Sequence, residues 1–398
     1  MECTELLGLA EANRDRIVSF CQEIVRLPSL TGDEGRLAEL VLECMEQLGY
    51  DEALIDSAGN VIGHIRGGPG RSTLLHAHLD VVDPGDPRRW SDTPYSGTLR
   101  DGYIWGRGAV DDKGCLAAQL YAAVLLKEAG LMPAGDVYVS AVVGEEIGGL
   151  GSRFLAGSFH PDLAIIGEPS ANTLRRGHRG RCEFVVTLRG RSAHASVPSH
   201  AVNPHYDMAR FVLALRDLDM YQEPVTGGST VAPTLLRSDQ RSANVIPGEL
   251  ALHLDWRNAP GESPQQAQAK LQCLLDDTLG GETAYSLDVH TDHVVSYTGY
   301  EQDIRQAVAP FWMEADDPRL LAAQDLLRGA LGRDVVTDVW QFFTDGGFLY
   351  AAGVPCIGFG PGDPAMAHVF DERLAVDQLI EAVAGYMALA LQMGAVSG

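Results

Sequence analysis

The stretch Ser72–Asp83, STLLHAHLDVVD, decides how the rest of the chain is read. It is largely apolar, and His76, His78 and Asp80 fall at every second position. Side chains alternate across a strand, so these three would leave one face near the end of a buried strand. A histidine and a carboxylate two residues apart suit a metal site, where the carboxylate orients the imidazole and holds its tautomer. The same spacing also fits a solvated strand end, so the segments further along carry the choice.

Working outward, 398 residues are too many for one compact core, and two domains are expected. A formal charge of −24 disfavours nucleic acid and anionic membrane as partners, since both call for a basic surface. Cys3, Cys21, Cys44, Cys115, Cys182, Cys273 and Cys356 are scattered and never spaced CxxC. That pattern points to reduced thiols in a cytoplasmic protein and away from a cysteine metal site. The start, MECTELLGLAEANRD, is acidic and shows no secretory signal. No apolar run reaches the roughly 18 residues of a membrane span; Ala382–Leu391 reads as a packed helix.

Helical spacing covers about Asn13–Arg26, and Thr31 with Glu34 reads as a capping box opening a second helix. After the central strand, GRGAVDDKG leads into a helix over Cys115–Lys127, and the apolar strands DVYVSAVVGEE and DLAIIGEPS follow. Strands alternating with helices predict an α/β domain, its mainly parallel sheet flanked by helices, with ligands at the strand C-termini. His78, Glu145, Glu146 and Glu168 all sit at such ends. From about Gly180 the order becomes strand, helix, strand, strand, helix, strand, a ferredoxin-like split βαβ unit. The expected division is residues 1–179 for the first part of the sheet domain, 180–292 for an inserted α+β domain, and 293–398 for the return.

Five segments carry imidazoles or carboxylates that folding alone does not explain: HLD at 78–80, GRGAVDDKG around Asp111, GEE at 144–146, GEPS at 167–170, and AHVFDE around His368. Adjacent glutamates ending an apolar strand are costly unless metal or hydrogen bonds hold them. If the strand persists, Glu145 and Glu146 face opposite sides, one to ligate and one to meet substrate. Two imidazoles and three carboxylates suit borderline divalent ions such as zinc, cobalt or manganese. Three carboxylates and one hydroxide balance the charge of two such ions, which favours a two-metal site.

The ordered set HLDVV, GRGAVDDKG, GEEIGG, GEPS, SAHASVP, ANVIPG, LDWR, TDGG and GVPCIGFGPGDPAMAH resembles the dinuclear-zinc metallopeptidase family of acetylornithine deacetylase, succinyl-diaminopimelate desuccinylase, aminoacylase and glutamate carboxypeptidase. The resemblance spans nearly the whole chain. It implies that Asp111 bridges two ions, most simply zinc, that His78 and Glu168 complete one, and that Glu146 and His368 complete the other. It further implies Glu145 as general base, Asp80 as the carboxylate behind His78, and a cis peptide at Asp111–Asp112. By the same resemblance the inserted domain is a lid and dimerisation domain, and His194 reaches a partner subunit's oxyanion in a homodimer. Arg179, Asn244 and Arg257 match positions holding the substrate carboxylate and backbone, and Thr344 and Gly346 line the pocket. Ala77, Ala201 and Pro204 depart from the family pattern without touching a ligand.

The implied activity is hydrolysis of the amide of a small N-acyl amino acid, with dipeptide or carboxypeptidase cleavage as the alternative and a silent binding protein as a remote one. The HxH of His76 and His78 also occurs in barrel amidohydrolases, but the split βαβ unit contradicts that fold. His76 reads as a hydrogen-bonded core residue, and His178 and His200 as surface residues. Arg257 has the simpler reading of a partner to a lid carboxylate. Asp112 and Asp345 read as hydrogen-bonding loop residues.

Overall fold

A computed structural model describes residues 3–279 and 281–396. Thr73–His78 is buried along its whole length. It lies parallel to Val137–Val142 on one side and to Leu163–Ile166 on the other. Both faces are covered, which is why the run is apolar throughout instead of alternating. Leu75, Ala77 and Leu79 enter a core built with the helices Lys113–Glu128 and Val376–Gln392. Leu74 enters a second core with Val142, Ala164, Ile166 and Phe311.

The full sheet has eight strands, in the order 52–55, 61–65, 137–142, 73–78, 163–166, 356–358, 174–178 and 337–340. It is parallel at its centre and antiparallel where Val61–Ile65 joins. Its three adjacent central strands end on one edge, where His78 closes its strand and Glu145–Glu146 and Glu168 follow the other two. Parallel pairing therefore brings residues some 90 positions apart in the chain to a common edge, as expected for this architecture.

The inserted unit is a four-stranded antiparallel sheet, ordered 230–238, 249–257, 181–189 and 284–289, with the helices Pro204–Arg216 and Pro264–Thr278 on one face. Cys182, Phe184, Val186 and Leu188 alternate inward against Phe211 and Leu271. The second helix opens on a capping box between Ser263 and Gln266, with Pro264 in its first turn. Ala307–Val308 then returns along the start of the first strand as a short fifth partner.

Several local expectations change. Thr31 and Glu34 form no capping box: the helix is Gly35–Gln47, with no side-chain cap. Thr31 donates its hydroxyl to Asp80 at 2.7 Å, and Glu34 accepts from the Gly32 N–H at 2.9 Å. A buried carboxylate gains more from that donor than the helix end would from a cap. The acidic start forms a helix, Cys3–Ala12, that buries Leu6 and Ala10. Cys21, Cys44, Cys115, Cys182, Cys273 and Cys356 are all free thiols. Among the described residues no helix is long and apolar enough to cross a membrane.

Candidate metal centre

The carboxylate of Asp111 is divided between two imidazoles. Its Oδ1 lies 3.0 Å from His78 Nε2 and its Oδ2 lies 3.1 Å from His368 Nε2. Glu168 approaches His78 Nε2 at 3.9 Å, and Glu146 approaches His368 Nε2 at 3.1 Å. Donor atoms of His78, Asp111 and Glu146 converge within 4.8 Å of one another, as do those of His78, Glu145 and Glu168. Glu146 thus reaches towards both imidazoles, and its 3.1 Å contact assigns it to His368.

The backbone explains how each group arrives. His78 closes its strand and donates Nδ1–H to the carbonyl of Asp80 at 2.9 Å, which leaves Nε2 free to face Asp111. The carboxylate of Asp80 accepts the backbone N–H groups of Glu145 and Glu146 at 3.0 and 3.1 Å. Their strand ends at Val142, and Gly144 turns the chain with φ of 69°, a conformation open to glycine. Glu145 and Glu146 therefore do not alternate across a persisting strand; both line one cavity. The loop bearing Asp111 is held by Glu372, whose Oε1 accepts from Val110 and Asp111 N–H at 2.8 and 3.2 Å. Arg107 donates to the other oxygen of Glu372 at 2.6 Å, within the interior. The Asp111–Asp112 peptide is cis. Asp112 accepts the His78 N–H at 3.1 Å, the loop role expected of it. His368 sits in the left-handed region at φ of 61°, a setting that histidine adopts more often than most residues.

Burial, together with the charges of neighbouring carboxylates, pushes the Glu145 and Glu168 carboxyls well above the usual range and raises Glu146. Burial opposes the charge on Asp111, but hydrogen bonds from His368 and His78 outweigh it and hold this carboxyl low. His368 is raised to about 10 by Asp111 and Glu146. Burial lowers His78, yet its bonds to Asp111 and Asp80 leave it raised. Four carboxylates thus crowd two imidazoles, His78 buried and His368 exposed at the rim, a set that divalent cations neutralise. Two imidazoles and oxygen donors split by a shared aspartate fit two borderline ions.

The cavity over this centre is about 400 Å³. Arg257, Phe342, Phe343 and Pro364 complete its wall. A larger groove of about 1020 Å³ runs past Arg153, Gly261 and Phe348, but it holds none of the residues of the five segments. Arg257 lines the cavity while pairing with Asp255 at 2.6 Å, the lid carboxylate of its simpler reading.

The remaining candidates lie elsewhere. His194 and Asn244 occupy an exposed two-stranded ribbon, Ala193–His194 with Val245–Ile246 and its approach, and neither lines the cavity. Arg179 reaches the carbonyl of Gly228 at 3.4 Å. Thr344 and Gly346 are buried behind the wall; Gly346 N–H donates to Thr344 Oγ1 at 3.2 Å. His76 is a core residue, its ring nitrogens 2.7 Å from Ser140 Oγ and 2.9 Å from Ser152 Oγ. Asp345 accepts from Ser152 at 2.5 Å. His200 is exposed, but His178 is fully buried instead of superficial. Its Nδ1 donates to the Arg179 carbonyl at 2.9 Å and its Nε2 accepts the Thr344 N–H at 3.2 Å. Thr31, Glu372, Phe342 and Phe343 also serve the site, although sequence spacing does not mark them. For Glu372 the nearby signal was its place four residues after His368 in AHVFDE.

Residues 74–392 match the profile described as Peptidase family M20/M25/M40. The YgeY protein of Escherichia coli K12 is 30% identical over 397 residues, covering 97% of this chain and 96% of that one. A probable succinyl-diaminopimelate desuccinylase of Staphylococcus epidermidis is 25% identical, covering 95% and 97%. The crystal structure of the Bacillus subtilis YXEP protein, a dinuclear metal binding peptidase, superposes with a TM-score of 0.71 at 16% identity, covering 96% and 98%.

Proposed function

The chain belongs to peptidase family M20/M25/M40 and is a metal-dependent hydrolase; on that premise we propose that it removes the acyl group from a small N-acyl amino acid. The observation that carries the reading is the division of Asp111 between His78 and His368, with Glu145 on the wall of the same cavity and Arg257 lining it as well. The similarity to a probable desuccinylase supports an acyl group on the cleaved side.

In this proposal His78, Asp111 and Glu168 hold one divalent ion, and His368, Asp111 and Glu146 hold the other, with zinc the first choice and cobalt or manganese next. When bound, the pair supplies an acidified water and polarises the scissile carbonyl. Glu145 takes the water's proton and delivers it to the departing amine, so the C–N bond breaks with a neutral leaving group. Asp80 holds the Glu145 backbone and His78 in register. Arg257 offers the guanidinium N–H groups that Asp255 leaves free to the substrate carboxylate, and Phe342 and Phe343 exclude water beside it.

The exposure of His194 supports a dimer in which this imidazole serves a partner's cavity. The six free thiols support a cytoplasmic setting. Dipeptides present the same carboxylate to Arg257 and the same amide to Glu145. A panel of acetyl, succinyl and formyl amino acids beside dipeptides, on zinc-, cobalt- and manganese-loaded protein, separates the readings. Acylated amino acids should give kcat/KM at least about tenfold above dipeptides, a margin of about 1.4 kcal/mol. The reverse order would replace deacylation with dipeptide cleavage.

A further inference from the structure

A second convergence of metal-type donors lies on the inserted sheet, on the face away from its helices. Glu183, His253 and His290 each offer a donor atom, and these atoms all lie within 4.8 Å of one another. They come from three adjacent strands. Glu183 is on the middle strand, Arg181–Arg189, and His253 on its neighbour Glu249–Arg257. His290 directly follows the strand on the other side, Ala284–Val289, and donates its N–H to the Glu183 carbonyl at 2.8 Å. The register pairs Asp255 with Glu183 and His253 with Val185, so His253 reaches Glu183 diagonally across the pleat.

We propose that Glu183, His253 and His290 bind a further divalent cation of the zinc type, separate from the pair at Asp111. Two imidazoles and a carboxylate from three strands form a donor set that borderline ions take, with coordination left for water. A charge-assisted bond explains His253 Nδ1 at 2.8 Å from Glu183 Oε1, but it leaves unexplained why His290 is the third member. The two rings stand 5.3 Å apart at 67°, edges inclined and not stacked. Asp292 Oδ1 lies 3.1 Å from His290 Nε2, placed to orient that ring or to add a fourth oxygen. Arg181 lies 3.5 Å from Glu183, but its Nε is engaged by Asp255, which also holds Arg257. Around the cluster the carboxylates of Glu183, Asp255 and Asp292 outnumber the guanidiniums of Arg181 and Arg257 by one. His290 and Asp292 are partly exposed, so an ion has access.

The location gives the site a consequence. Gln306 donates to Asp292 at 2.8 Å and to the carbonyl of Ile147 at 3.0 Å. Ile147 follows Glu146 directly. The Gln306 N–H donates to the His290 carbonyl at 2.8 Å, and its own carbonyl accepts from Glu183 at 2.9 Å. The cluster therefore sits where the inserted domain joins the sheet domain, one side chain away from the Glu145–Glu146 turn. An ion here ties three strands of the lid to that junction.

The test is calorimetric titration of the full chain with Zn²⁺, read beside metal content and Tm. Wild type should show a third binding event after two equivalents, with a further rise in Tm. H253Q and H290Q should each lose that event and keep the first two. H78A/H368A should lose the first two and keep the third. Because His290 is partly exposed, H290Q carries the comparison if H253Q does not fold. Equal stoichiometry and equal Tm response in wild type and H290Q would overturn the proposal, as would no zinc binding by a folded H78A/H368A. Neither outcome bears on the pair at Asp111, whose failure would show instead as wild type lacking its first two events.

Discussion

The carboxylate of Asp80 accepts the backbone N–H of Glu145 at 3.0 Å. It also accepts from Glu146 and from the Thr31 hydroxyl, and lies 3.5 Å from His78 Nδ1. One buried carboxylate therefore positions groups from two strand ends. D80N keeps one acceptor oxygen but aims an amide donor at groups that themselves donate. We predict a fall of about 10–100-fold in both metal affinity and kcat, measured by chelator competition and by kinetics at saturating metal. Unchanged values would mean that the clamp is redundant.

Replacing the proposed base separates chemistry from metal binding. E145Q should lower kcat by about 10²–10⁴-fold while two ions remain by elemental analysis. Loss of metal together with activity would reassign Glu145 as a ligand.

Arg257 faces the cavity with a carboxylate, Asp255, already on its fork. R257Q should raise KM about 10–100-fold, as expected for a charge-assisted bond worth about 1.5–3 kcal/mol, with a smaller change in kcat. Wild type should prefer a free substrate carboxylate over its amide, and R257Q should not. A preference that survives in R257Q places the carboxylate elsewhere.

His178 supplies a pH signature away from the metal ligands. Burial pulls its pKa down from 6.5 to about 4, against hydrogen bonds that partly raise it. Between these values the unfolded chain binds the proton and the folded chain does not, so stability falls as pH drops through that window. The contribution present above pH 6.5 and lost by pH 4 is about 3 kcal/mol. H178Q, which keeps an acceptor for Thr344 N–H, should flatten this part of a Tm-versus-pH curve. Parallel curves for the two proteins would contradict it.

Metal removal should reverse the pH trend above that window. Without ions, burial keeps the carboxyl groups of Glu145, Glu146 and Glu168 raised, so the folded state holds protons that the unfolded chain releases. Their protonated form favours the folded state below about pH 4.5, and that advantage disappears as pH rises through the folded values. Chelated protein should therefore lose Tm with rising pH above about pH 6.5, where His178 is neutral in both states, with metal-loaded protein nearly level near neutrality. Superimposable profiles would mean that the ions do not neutralise these groups.

From its sequence alone the chain determined its elements and most of its donors. The apolar Thr73–His78 run, the helical periods and the split βαβ order are legible because period and propensity act over a few residues, while the roles of His78, Asp111, Glu146, Glu168 and His368 were implied by the resemblance that their ordered motifs carry. Tertiary structure decided where side chains spend their hydrogen bonds. Thr31 serves Asp80 instead of a helix end, Glu372 holds the Asp111 loop, and His178 is buried against Thr344. Glu145 and Glu146 share a cavity because Gly144 ends their strand, and Glu183, His253 and His290 meet only through strand pairing. Those outcomes depend on distances set by sheet register and burial between residues remote in the chain, and no local pattern encodes them.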